Sequence, residues 1–210
     1  MTSLQLGSER RQFNPWLHDY YARFGSANAD GDRLSIAFVI GSADIGGGNN
    51  VIFQHALRAQ DAGLAVSVIP MLDVPGGVPR WHRAIEDLRF ASFDEVASER
   101  FDLVLATWWP TVFELPRLRF RHAAYFVQSV ESRFYATGPG SEFAALAELS
   151  YLIKLPAITI ATWIQSFLAF QHRTPAYLVR NGIDKNVFTS IGPALVPRAK
   201  GRLRVLVEGP

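Results

Sequence analysis

The 210-residue chain contains no cysteine, which excludes disulfides, thiolate metal sites and cysteine nucleophiles together. Lysine is scarce: 3 residues against 18 arginines. The formal net charge is only +2, and no basic run interleaved with aromatics occurs, so nucleic-acid binding has no support. Five histidines, His18, His55, His82, His122 and His172, are scattered without paired ligand spacing, and no metal site is expected. Residues 1–32 are polar and lack an apolar core ahead of a small-residue cleavage site, so no cleavable leader is expected. The one long apolar tract, Tyr151 to Phe170, is interrupted by Lys154, Pro156, Thr159, Thr162, Gln165 and Ser166. It reads as a buried strand followed by a helix and not as a membrane span.

Hydrophobic residues make up 49% and charged residues 19% of the chain, enough for one large domain or one domain and the start of another. Asn14-Pro15 with Leu17, Tyr20, Tyr21 and Phe24 predicts a helix closed by Gly25. Leu34 to Ile40 is a strand with almost no polar alternation, the mark of a sheet covered on both faces. Gly46-Gly47-Gly48-Asn49-Asn50 follows, and then a helix from Asn49 or Asn50 to Gly63 with Ile52, Phe53, Ala56, Leu57 and Ala59 inward. Leu64 to Ile69 returns as a second strand, and so close a junction requires a right-handed crossover and parallel pairing. Further strands are expected near Phe90 and over Leu103 to Thr107, Ala123 to Gln128, Ala157 to Thr162 and Ala176 to Val179. Helices are expected over Pro79 to Leu88, Ser92 to Glu99 behind a Ser92/Glu95 capping box, Pro110 to Leu115, Glu142 to Lys154 and Trp163 to Gln171. The alternation predicts an α/β fold, a doubly wound parallel sheet of Rossmann-like type. The expected organisation is an N-terminal extension over 1–32, the α/β domain over 33–188, a linker over 189–202, and over 203–210 the first strand of a further domain.

Gly46 to Asn50, Thr107-Trp108-Trp109, Gln128-Ser129, Thr162-Trp163 and Arg180-Asn181-Gly182 each follow the carboxyl end of a predicted strand. In an open parallel sheet these ends lie on one edge, where ligands bind. Three glycines leave no Cβ to hold a ligand off the backbone, and the first-turn N–H groups of a helix suit phosphate. A merely tight turn is the plainer alternative. The loop is not a Walker motif, because Gly47 stands where lysine belongs after Gly41 and Gly46. It also departs from the dinucleotide fingerprint, since Val51 replaces the third glycine and no acidic residue ends the second strand. Indoles pack on sugar rings while amides and hydroxyls bond sugar hydroxyls, so the inventory suits carbohydrate. Trp108 and Trp109 are equally readable as core aromatics, and His55 as a core-edge histidine. Arg117, Arg119 and Arg121 alternate with Leu118 and Phe120; a solvated edge is the default, with attraction to an anionic membrane as the second reading.

Several motifs in order carry a resemblance: Gly46-Gly47-Gly48 with Asp61-Ala62-Gly63, Asp102 to Thr111, Tyr125-Phe126-Val127-Gln128 with Glu131 and Phe134-Tyr135, and Val179 to Asp184 with Phe188. Over roughly residues 36–210 the chain resembles the N-terminal half of glycosyltransferase family 4 enzymes, most closely the bacterial polysaccharide rhamnosyltransferases. The resemblance implies half of a GT-B architecture, in which the N-terminal domain receives the acceptor and the C-terminal domain grips a nucleotide sugar. It implies a retaining transfer without metal or other cofactor, the nucleotide sugar being a co-substrate. Gly46, Gly47, Gly48 and Asn49 would then approach the donor phosphates; Thr107, Trp108, Trp109, Gln128, Tyr135 and Asn181 would bind the acceptor; and Glu131 would be the nearest catalytic carboxylate, Ser129 standing where the subgroup has aspartate. The implied partners are a saccharide or lipid-linked saccharide acceptor and a C-terminal donor-binding domain, the implied location the cytoplasm, peripheral at the inner membrane face. Without the donor domain the polypeptide is expected to be inactive. Two other classes stand beside this one: a nicotinamide-dependent oxidoreductase, and a non-catalytic carbohydrate-binding or interaction domain.

Overall fold

A computed structural model describes residues 33–72, 80–135, 140–182 and 201. The helix expected over 14–25, most of the loop after Met71, the linker and the final strand lie outside the described residues. The chain divides after Arg180 into two units, and of the second only Asn181, Gly182 and Gly201 are described.

The first unit is α/β. Its elements run β1 (Ser35–Ile40), α1 (Gly47–Asp61), β2 (Ala65–Pro70), α2 (Ala84–Asp87), β3 (Arg89–Phe90), β4 (Arg100–Ala106), α3 (Trp109–Glu114), β5 (Arg119–Val127), α4 (Glu142–Leu152), β6 (Ala157–Thr159), α5 (Thr162–Phe170) and β7 (Ala176–Leu178). All seven strands are parallel in the order β3-β2-β1-β4-β5-β6-β7. The chain winds outward from β1 to β3, returns to β4 and winds the other way. Right-handed crossovers therefore put the helices of the two halves on opposite faces. Phe38, Ile40, Val66, Val68, Leu105 and Phe126 pack against Ile52, Phe53, Ala56 and Leu57 of α1. Val39, Val104, Ala106, Tyr125 and Val127 pack with Val112 of α3, Tyr151 of α4 and Ile164, Phe167 and Leu168 of α5. The doubly wound, Rossmann-like fold expected from the alternation is the one observed.

Several boundaries differ from expectation: β4 starts at Arg100 and not Leu103, β6 ends at Thr159 and not Thr162, and α2 covers only Ala84–Asp87 of the helix expected over Pro79 to Leu88. Helix α1 starts at Gly47, two residues early, with Gly46 as its extended N-cap. Its end follows the sequence closely: Gly63 adopts φ +93°, the left-handed conformation that only glycine takes without strain after a helix. Residues Phe93–Ser98 form turns and not the expected helix, although the capping box itself exists. Ser92 N–H and Oγ–H donate to Glu95 Oε2 at 2.7 and 2.8 Å, and Glu95 N–H donates to Ser92 Oγ at 3.3 Å. Strand β5 begins at Arg119, four residues before the apolar run, because its ladder with β4 starts at Arg100↔Arg119.

Candidate functional site

The chain reverses its winding between β1 and β4, and at such a switch point the loops diverge to opposite faces and leave a crevice at the carboxyl edge. Since β1, β4 and β5 are successive neighbours, the loops that follow them start within about 10 Å of one another.

The β1 loop delivers the amino end of α1. No side chain caps this end and no acidic residue sits in its first turn, so the N–H groups of Gly47, Gly48 and Asn49 have no intrahelical acceptor. A Cβ on Gly46 or Gly47 would meet nothing within 4 Å; the backbone is open there. Gly48 faces Gln128, whose Nε2 donates to the Gly48 carbonyl at 3.1 Å. Asn49 shapes the loop from within, its side-chain amide donating to the carbonyls of Ser42 at 3.0 Å and Asp44 at 2.8 Å. Trp81 Nε1 ties the other side of the loop to the Ala43 carbonyl at 2.8 Å.

The β4 loop separates the two tryptophans. Thr107 is buried, its hydroxyl donating to the Val39 carbonyl at 2.9 Å across to β1. Thr111 Oγ accepts from Thr107 and Trp108 N–H and donates to the Trp108 carbonyl, fixing the bend into α3. Trp108 remains half-buried at the rim with its indole against Gly41, where a Cβ would lie 2.6 Å from its Cε3. Only glycine allows the ring to lie there. Trp109 is 8% exposed and packs among Phe113, Tyr135 and Phe143, its Nε1 donating to Tyr135 Oη at 3.3 Å. Of the pair, Trp109 is a core aromatic, and Tyr135 is joined to it below the rim.

Glu131 opens the 3-10 turn Glu131–Tyr135 after β5 and is 6% exposed. Its Oε2 accepts from the Trp109 N–H at 2.8 Å and from the Tyr125 hydroxyl at 2.8 Å, while its own N–H donates to Tyr151 Oη at 3.1 Å. Burial pushes the carboxyl up to about 7 despite the lowering effect of the Tyr125 and Trp109 donors. Burial also raises the hydroxyls of Tyr125 and Tyr151. In this geometry the carboxyl group is engaged within the protein and joins the start of α3 to β5, while the Glu131 backbone N–H adds the tie to α4.

Among the sequence-named residues, Gly46, Gly47, Gly48, Trp108 and Gln128 therefore gather at the crevice, with Asn49, Thr107, Trp109, Glu131 and Tyr135 beneath it as supports. Trp163 lies half-exposed at the start of α5 with the Arg133 guanidinium 5.7 Å from its ring. Asn181 is exposed and belongs to the second unit. His55 lies tilted against Phe126 with ring centroids 5.1 Å apart, and burial, aided by Arg58, lowers its pKa, as suits a core-edge histidine. Gly41, Thr111, Tyr125 and Tyr151 are the supports that periodicity did not single out. A glycine directly after an all-apolar strand was the one available signal for Gly41.

Among the described residues, no group of three His, Asp or Glu side chains is placed to hold a metal ion, and no helix is long and apolar enough to cross a membrane. Comparison with protein-family models gives no match, and comparison with curated proteins gives none either.

Proposed function

We propose that this chain is the acceptor-facing part of a glycosyltransferase of the family 4 type, serving the transfer of a sugar, rhamnose by resemblance, from a nucleotide sugar to a saccharide in surface polysaccharide synthesis. The observation that carries the reading is the meeting of an uncapped, open glycine turn with a half-buried indole and a carboxamide at one switch point. Trp108 offers a ring edge and face for a pyranose, Gln128 a carboxamide for its hydroxyls, and the first-turn N–H groups of α1 a positive pole for the leaving diphosphate. Glu131 acts as a positioning residue, since its bond to the Trp109 N–H fixes the loop that carries Trp108.

Magnitudes limit what this rim does alone. One helix N-terminus contributes up to about 2 kcal/mol to a bound anion, whereas millimolar affinity needs about 4 kcal/mol. The glycine turn orients the diphosphate, and a C-terminal donor-binding domain holds the nucleotide sugar. Peripheral attachment at the inner membrane face accords with a lipid-linked acceptor.

A dinucleotide-binding oxidoreductase is the second reading, because the order β3-β2-β1-β4-β5-β6 is also that of dinucleotide folds. Against it, β2 ends in Pro70 where a ribose-binding carboxylate belongs. Calorimetry and amide-shift mapping on the chain, titrated separately with oligosaccharide and NAD, decide between them. The expected result is weak saccharide binding with shifts at Gly46 to Gly48, Trp108 and Gln128, lost in Trp108→Ala. Micromolar NAD binding with no saccharide response would overturn the transferase reading.

A further inference from the structure

Three aromatic rings reach solvent in a row along the carboxyl edge, and only the first has a place in the proposed transfer. Strands β4, β5 and β6 are successive neighbours. The segment after each carries one such ring: half-buried Trp108 after β4, Phe134 after β5 and Trp163 after β6. Phe134 is 67% exposed and Trp163 49%. With adjacent strands about 4.8 Å apart, the two outer segments start roughly 10 Å from one another.

The 3-10 turn Glu131–Tyr135 bridges the outer two. On one side Glu131 accepts from the Trp109 N–H and Tyr135 packs on the Trp109 ring. On the other, the Arg133 guanidinium lies 5.7 Å from the centroids of Trp163 and Phe167. Ser132 Oγ–H donates to Glu148 Oε1 at 2.5 Å. The turn is thus pinned on both sides of Phe134, whose ring it holds out in water. A single exposed ring is ordinary on a protein surface. Three on neighbouring segments, at the edge where an open parallel sheet binds ligands, form a surface with a direction.

Polar donors accompany the rings. Helix α5 starts at Thr162 with Ala161 as an extended N-cap and no side-chain cap, so the N–H groups of Thr162, Trp163 and Ile164 have no intrahelical acceptor. Arg133 is exposed and adds guanidinium donors between Phe134 and Trp163.

We propose that this row is a track for an oligosaccharide acceptor of at least three sugar residues, one pyranose over each ring. The inference rests on the transferase reading and extends it from a saccharide to a glycan chain with subsites at Phe134 and Trp163. A pyranose advances a chain by about one strand spacing, so consecutive sugars meet consecutive segments. Each ring takes the apolar face of one sugar out of water, while hydroxyls of the second and third sugars accept from Arg133 and the first turn of α5. Strand order sets the direction: β1 adjoins β4, so Trp108 receives the end next to the glycine turn and Trp163 the end farthest from it.

The test is an amide and indole N–H shift titration of the chain with rhamnose and its α-linked di-, tri- and tetrasaccharides. Affinity is expected to rise about fivefold with each residue up to the trisaccharide and to level off at the tetrasaccharide. The Trp108 indole signal is expected to move with every ligand, and the Trp163 indole signal only from the trisaccharide onward. Trp163→Ala is expected to bind the trisaccharide no better than the disaccharide, and Phe134→Ala to lose the gain from the second residue. Affinity independent of chain length while Trp108 responds, or a Trp163→Ala variant that binds the trisaccharide as the parent does, would overturn the track and leave the transferase reading standing. No response to any of the four saccharides would overturn both. The length series on the parent chain decides the matter even where a variant fails to fold.

Discussion

Glu131 is a carboxyl group that the fold prefers protonated, because desolvation moves it from the ordinary 4.5 to about 7. Between those values the folded chain binds more protons than the unfolded chain, so stability falls as pH rises through this window. Linkage sets the full effect at about 3 kcal/mol. His55, His82 and His172, each lowered by burial, act in the opposite sense below 6.5. Comparing wild type with Glu131→Gln isolates the carboxyl: the melting temperature of the variant is expected to lose the decline between pH 5 and pH 8 that wild type shows relative to it. Parallel pH profiles would remove the assignment. At Gly41, a methyl would stand 2.6 Å from the Trp108 ring. Gly41→Ala is expected to cost about 1–3 kcal/mol by overpacking, and to shift tryptophan emission as the indole is displaced. In a Trp108→Ala background most of that cost is expected to vanish, a coupling that denaturant titration of the double-mutant cycle reads directly.

At the scale of elements, the β1–β4 pair that frames the crevice is clamped at its far end by side chains. Asp102 Oδ2 accepts from Ser35 N–H at 2.9 Å and Ser35 Oγ at 3.0 Å, and Asp102 N–H donates to Ser35 Oγ at 3.0 Å, one step before the ladder partners Ile36↔Leu103. Asp102 thus belongs to the architecture of the sheet and lies at the edge opposite the candidate site. Asp102→Ala is expected to lower stability by about 1–3 kcal/mol, since it leaves the partly buried Ser35 donors unpaired, while saccharide affinity stays unchanged. Helix α1 carries the complementary prediction. Phe53 is fully buried among Trp81, His82 and Phe90, so Phe53→Ala is expected to cost about 3–5 kcal/mol in urea unfolding. The alternation of Arg119 and Arg121 with Phe120 is strand-like in the sequence, but the expected strand begins only at the apolar Ala123, whereas the ladder already pairs Arg119 and Phe120 through backbone while the Arg119 side chain remains in water. Capping chemistry at Ser92 was legible and real, yet the residues that follow it form turns and not a helix.

Across the whole molecule, the two edges of the sheet differ in kind. At the amino edge, Arg33, Ser35, Gln60, Arg89 and Glu99 line a shallow cavity, but Arg89 and Glu99 satisfy one another through two bonds of 2.7 and 2.5 Å. At the carboxyl edge, the amino end of α1 is left without any such partner. Saccharide-induced amide shifts are accordingly expected at the carboxyl edge and absent around Arg89 and Asp102; shifts concentrated at the amino edge would move the site there. The sequence by itself determined the parallel, doubly wound sheet, because unbroken apolar strands alternating with helices have few other ways to bury both faces, and it determined which loops follow strand ends. Tertiary structure alone decided which of those loop residues face outward. Trp108 and Trp109 are chemically identical neighbours, and what separates them is a glycine 67 positions upstream that makes room for one ring, and a carboxylate 22 residues downstream that holds the backbone of the other. Such choices depend on which distant atoms are adjacent after folding, information that no local pattern of residues contains.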